Sequence, residues 1–219
     1  MMPNPNESVF YRRRLPHLYV NSHPVFITWR LKFDLPNFIK QHLNEMKEEF
    51  DKETKDLSDE YRSMQGYTFH KKVFGWLDAQ LGTADNLPVL LKEENIVKTI
   101  SDALHFNDDK KYLLHAYCIM PNHVHVLITP FANQTDMSKS LSEITHGWKR
   151  ITSIRINEIL NKQGTLWASE SYDHVVRNET EFSRIIAYIL NNPVKANLVK
   201  NWQDWKGSWV AKEFVDIMG

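Results

Sequence analysis

His123-Val124-His125 and Tyr188 are the residues of this 219-residue chain whose types and spacing are suited to chemistry. The histidines open an alternating run. In an extended strand both imidazoles project from one face, while Val124, Val126 and Ile128 project from the other. Two neutral imidazoles side by side suit a divalent cation and leave it positions for substrate oxygens. Taken alone, the pair is also compatible with two histidines on a solvated sheet face. Val126 and Leu127 follow His125, so the further Asp-His of a two-metal hydrolase is missing.

Tyr188 sits in Arg184-Ile-Ile-Ala-Tyr188-Ile-Leu-Asn-Asn192-Pro193. On a helix, Arg184, Tyr188 and Asn192 share one face at spacing four, and Ile185, Ile186, Ile189 and Leu190 supply the buried side. The spacing also describes an ordinary boundary tyrosine, with Asn192 as a C-terminal stop residue. A phenol, however, can attack a phosphodiester in line, displace the 3′ oxygen and leave a 5′-phosphotyrosine. Its pKa of about 10 also makes it a fair leaving group when a deoxyribose hydroxyl later reseals the strand. A cation on the phosphate would neutralise developing charge. Two histidine nitrogens with the amide oxygen of Asn192 would make a three-point protein site.

These residues need elements to hold them. Pro24 to Leu31 is rich in β-branched and aromatic residues and predicts a strand. Helices are expected from about Phe38 to Asp56, with Phe38, Ile39, Leu43, Met46 and Phe50 as the apolar stripe, through Asp59–Pro88, and over Lys92–Phe106. Tyr112–Ile119 and His123–Thr129 read as a hairpin turned at Met120-Pro121-Asn122. A long helix from Ser138 to about Asn161 is expected to turn Leu141, Ile144, Trp148, Ile151, Ile154 and Ile159 inward. Tyr172–Arg177 reads as a short strand. The last helix starts at the cap Asn178, paired with Glu181, and is expected to stop near Asn191 because Pro193 disfavours helical geometry at Asn192. The sum is one α+β domain: an antiparallel sheet with helices on one face and a helical insertion after the first strand.

Composition sets the limits. With 42% apolar and 25% charged residues the chain is globular rather than disordered. Cys118 is the only cysteine, which excludes an intramolecular disulfide and a cysteine-rich zinc site. The opening Met-Met-Pro-Asn-Pro-Asn-Glu has no signal-peptide pattern and no run approaches a membrane span, so cytoplasmic residence is the expectation. Net charge is zero but unevenly spread: acidic residues dominate Lys40–Glu60, while Arg12, Arg13, Arg14, Arg30 and Lys32 crowd one end. Lys139, Lys149, Arg150 and Arg155 follow the histidines. A basic face for phosphates and a mixed solvated surface both fit.

Two ordered blocks then bear a family likeness. Tyr117-Cys-Ile-Met-Pro-Asn-His123-Val-His125-Val-Leu-Ile-Thr-Pro130 resembles the histidine block of the IS200-like single-tyrosine transposases, the HUH, Y1 family. Leu166-Trp167 through Tyr172-Asp-His-Val-Val-Arg177, then Tyr188-Ile-Leu-Asn-Asn-Pro-Val-Lys-Ala-Asn-Leu-Val199, resembles its second block. Tyr11-Arg-Arg-Arg-Leu-Pro-His17 looks like the opening of the REP-associated tyrosine transposase branch, and Trp205-Lys-Gly-Ser-Trp209 loosely matches its close.

The resemblance implies a ferredoxin-like fold over residues 11–210, with a helical insertion at about 37–90 and tails at 1–10 and 211–219. It implies Tyr188 as nucleophile, His123, His125 and Asn192 as ligands to Mg²⁺ or Mn²⁺, and single-stranded DNA with imperfect hairpins as substrate. Arg12, Arg13, Arg14, Lys149, Arg150 and Arg177 are the candidate phosphate contacts. A homodimer is compatible with the family, with the tyrosine helix serving its own or a partner's site. The alternatives are a domesticated hairpin-DNA-binding module without turnover and a histidine-metal hydrolase of small phosphoesters.

Overall fold

The computed structural model describes residues 23–131 and 137–218. Five strands form one antiparallel sheet: β1 (Val25–Arg30), β2 (Tyr112–Ile119), β3 (His123–Pro130), β4 (Tyr172–Val175) and β5 (Ser208–Val210), in the order β4-β1-β3-β2-β5. The helices are α1 (Asn37–Glu53), α2 (Asp59–Thr83), α3 (Glu94–His105), α4 (Met137–Ile159) and α5 (Glu179–Lys195). The first four strands, with α3 between β1 and β2 and α4 between β3 and β4, follow the ferredoxin-like order that the family resemblance implies. Among the described residues, no helix is long and apolar enough to cross a membrane.

The chain divides into two compact units. In the first, Phe33–Ala84, α1 and α2 pair around Ile39, Leu43, Met46 and Val73, and Phe50 stacks on Phe69 with ring centroids 4.4 Å apart. Phe38, expected in that stripe, is exposed instead, because the buried positions 39, 43 and 46 already define the face.

The second unit carries the sheet. On one sheet face, Trp29 stacks on Trp148 of α4 at 5.7 Å, Trp148 Nε1 donates to the Tyr112 hydroxyl, and Ser101 of α3 bonds the Tyr117 hydroxyl. These contacts hold α3 and α4 there. The C-terminal helix α5 adds a layer over the other face, where Tyr188 meets Phe26 and His125 while Phe182 meets His115. Its Ile186, Ile189 and Leu190 are wholly buried.

Two further expectations need correction. In α4 the buried face runs Leu141, Ile144, Trp148, Thr152, Ile156, while Ile151, Ile154 and Ile159 are exposed. Thr152 is the polar member of that face; its hydroxyl donates to Trp148 O and accepts Trp167 Nε1, so burial leaves it satisfied. Helix α5 does not stop near Asn191 but continues through Pro193 to Lys195. The missing proline N–H removes one helical bond, and packing of the apolar face holds the turn together. Lys212–Met218 forms 3-10 turns, and Phe214 packs on Phe182 at 5.1 Å and on His115 at 5.6 Å.

Strand β5 is too short for a sequence pattern to announce. It is set by Gly207, whose carbonyl accepts from Ile119 N at 2.8 Å. A Cβ at Gly207 would lie 2.5 Å from Ile119 O, so only glycine permits this approach.

Candidate active site

The hairpin turn puts the two histidines where their sequence spacing predicts. Met120 N donates to His123 O and Leu31 N to Asn122 O, each at 2.8 Å, fixing the turn against β1. His123 and His125 then point to the α5 side of the sheet, both fully buried, with ring centroids 4.7 Å apart and planes at 79°.

Each ring is oriented through Nδ1. His123 Nδ1 lies 2.6 Å from Asn122 Oδ1, an acceptor, so Nδ1 carries the proton and Nε2 the lone pair. His125 Nδ1 lies 2.8 Å from Thr28 Oγ1, its cross-strand partner on β1. A ligand histidine usually donates its second nitrogen in this manner, which fixes ring direction and raises basicity. Burial pushes the pKa of His125 down to about 3, so its imidazole is neutral at physiological pH. Two imidazoles side by side, each oriented through Nδ1, are a donor set that fits a divalent cation.

The tyrosine comes from α5. Asn178 Oδ1 caps that helix by accepting Glu181 N at 2.9 Å, as expected. The Glu181 carboxylate binds Arg177 N at 2.9 Å and His174 Nε2 at 2.8 Å, tying β4 to the first turn. Seven residues on from Glu181, the half-buried Tyr188 ring meets His125 edge-on at 5.7 Å and Phe26 edge-on at 5.9 Å. Phe26 also stacks on His125 at 5.7 Å, so one aromatic side chain braces both His125 and Tyr188. Asn192, buried, donates its Nδ2 to Tyr188 O at 2.9 Å. Its Oδ1 is the atom with metal-binding chemistry. Pro193 does not remove Asn192 from the helix, and so leaves it one turn beyond the tyrosine.

Among the described residues, the expected phosphate contacts are Lys149, Arg150 and Arg177. Arg150 is exposed on α4, which packs against the sheet face away from the histidines. Lys149, on the same helix, donates its ammonium to the carbonyls of Ala168, Ser169 and Glu170 at 3.0 to 3.1 Å. In this structure the ammonium is thus engaged by the backbone rather than presented at the histidines. Arg177 is exposed just before α5. Arg12, Arg13 and Arg14 lie outside the described residues.

Sequence reasoning missed Thr28, Asn122 and Phe26. Asn122 precedes His123 directly and was a findable signal; Thr28 and Phe26 become visible only through strand register. Arg30, named in the sequence only as one of a basic cluster, is the cross-strand partner of His123 on the same sheet face.

The geometry can be set beside known proteins. Residues 90–192 match the family model described as "Transposase IS200 like". The chain is 25% identical over 97 residues to the REP-associated tyrosine transposase of Escherichia coli (strain K12), spanning 44% of this chain and 53% of that protein. It is 23% identical over 95 residues to a putative REP-associated tyrosine transposase of Haemophilus influenzae, spanning 41% and 54%. The chain thus spans about half the length of the curated relatives it matches. A solved structure of a REP-associated tyrosine transposase bound to a REP hairpin is similar with a TM-score of 0.49 and 18% identity, covering 90% of this chain and 80% of the other.

Proposed function

We propose, from the match of residues 90–192 to the IS200-like transposase model, that this chain is a DNA strand-transfer enzyme with Tyr188 as its nucleophile. Its substrate is single-stranded DNA folded into imperfect hairpins. His123 and His125, with Asn192, are the residues that would hold Mg²⁺ or Mn²⁺. Bound there, the cation supplies positive charge at the scissile phosphate.

The chain's own residues do the rest. Thr28 and Asn122 fix the two rings, burial keeps His125 uncharged, and Phe26 braces the tyrosine against the ligand. In the cutting step the Tyr188 O–H bond breaks, its proton passing to water, and an oxygen–phosphorus bond forms. The phosphorus–O3′ bond breaks, and the departing 3′ oxygen takes a proton from water. The reverse displacement by a 3′ hydroxyl reseals the strand and returns the phenol.

The observation that carries this reading is the edge contact between Tyr188 and His125 inside one chain. The test is a 3′-labelled single-stranded hairpin oligonucleotide incubated with the protein and Mg²⁺ or Mn²⁺. A protein–DNA adduct that survives denaturing electrophoresis, and is lost in Tyr188→Phe, is the expected result. Binding to a panel of hairpins without any adduct would replace the enzyme with a silent binding module.

A further inference from the structure

On the same helix as the tyrosine, the Lys195 ammonium stands 5.1 Å from the centroid of the Tyr188 ring. Seven residues separate them, and over a heptad an α-helix drifts only about 20°, so both lie on one stripe. Helical side chains lean toward the N-terminus, which carries Lys195 back over the ring. Arg184, one turn before Tyr188 on that stripe, leans away from it for the same reason. A lysine in the last turn of a helix has a ready alternative in the terminal carbonyls. Lys195 takes the ring instead. It is exposed, and among the described residues no ion pair to it is found, so its charge is not neutralised locally.

We propose that Lys195 is a catalytic cation of this site: it grips the phosphate that Tyr188 attacks and then carries. This rests on the reading of Tyr188 as nucleophile. A phosphoryl group on the phenolic oxygen extends the ring in its own plane, and rotation about the terminal bonds of Lys195 moves the ammonium from the ring to that group. Lysine suits this task as a compact point charge on a flexible stem. The cation–π contact is then its resting position in the uncharged enzyme, given up when a fuller negative charge arrives. The bonds made and broken are those of the cutting step above; Lys195 keeps its protons throughout.

The full chain is assayed in single turnover with the 3′-labelled hairpin oligonucleotide and Mn²⁺. Lys195→Met is expected to slow adduct formation by about ten-fold, the size of one charge-assisted hydrogen bond. Affinity for uncut DNA should stay within about three-fold, since one contact among many is lost. Lys195→Arg should recover most of the rate. Adduct formation by Lys195→Met at the wild-type rate overturns the assignment.

A second measurement separates this proposal from the one it rests on. In Tyr188→Ala, phenyl phosphate can fill the vacated position, and its binding is followed by calorimetry in EDTA. Binding that weakens about ten-fold on adding Lys195→Met supports the lysine's role. No binding, or binding indifferent to Lys195, overturns it. Absence of any wild-type adduct would instead sink the nucleophile reading.

Discussion

Tyr188 and His125 belong to the same chain and meet edge to face, their ring centroids 5.7 Å apart. The proposed nucleophile and the proposed metal ligand therefore touch within one chain. Tyr188→Phe keeps the ring and its contacts with His125 and Phe26 while deleting the oxygen. Folding stability should change by no more than about 0.5 kcal/mol in a denaturant titration. Covalent adduct should vanish, and hairpin affinity should persist in a filter-binding assay. A Phe variant that still forms adduct would move the nucleophile elsewhere.

Thr28→Val removes the oxygen that orients His125 and strands a buried ring nitrogen. A cost of about 1–3 kcal/mol in stability is expected from the unmet polar group. Mn²⁺ affinity, measured by calorimetry, should fall about 10- to 100-fold. Asn122→Ala should act similarly through His123. Unchanged metal affinity in both variants would mean that the rings are held by other means.

Lys149 and Arg150 are sequence neighbours with different prospects. Lys149→Met deletes three bonds to the Ala168–Glu170 carbonyls and should destabilise the fold by about 1–3 kcal/mol. Arg150→Ala should leave stability within about 0.5 kcal/mol. If Arg150 touches phosphate, its loss lowers the salt slope of hairpin binding by about 1. A Lys149→Met protein as stable as wild type would contradict the clasp.

Acid should destabilise the metal-free protein through buried histidines. Burial lowers the folded-state pKa of His125 to about 3 and lowers that of His115 too. The unfolded chain therefore binds more protons between pH 6.5 and 3, and stability falls as pH drops through that window. Above about pH 6.5 these groups add no pH dependence. Denaturant midpoints in EDTA at pH 7.5, 6 and 5 should decline in that order. His125→Gln should flatten part of the decline, and an equally steep decline would remove His125 as its source.

The hairpin that carries the histidines was legible because alternation over Tyr112–Thr129 leaves one register that buries its apolar side. The cap Asn178 and the tyrosine's helix were legible for similar local reasons. What escaped was decided at a distance. Thr28 meets His125 across 97 residues of sequence, which no local pattern records. The inner face of α4 was misread because Thr152, a hydroxyl, occupies a core position that isoleucines seemed to claim. Pro193 was read as a stop because the rule for the residue before proline is statistical, and burial of Ile186, Ile189 and Leu190 outweighs it here.

That same proline gives the tyrosine's helix two mechanically unequal ends. Glu181 rivets the first turn to His174 and Arg177, whereas position 193 has no hydrogen to offer the carbonyl of Ile189. Bending is cheapest at that missing rung. Tyr188 rides on the anchored half and Lys195 on the compliant half, so flexing there shifts the cation relative to a nearly stationary phenol.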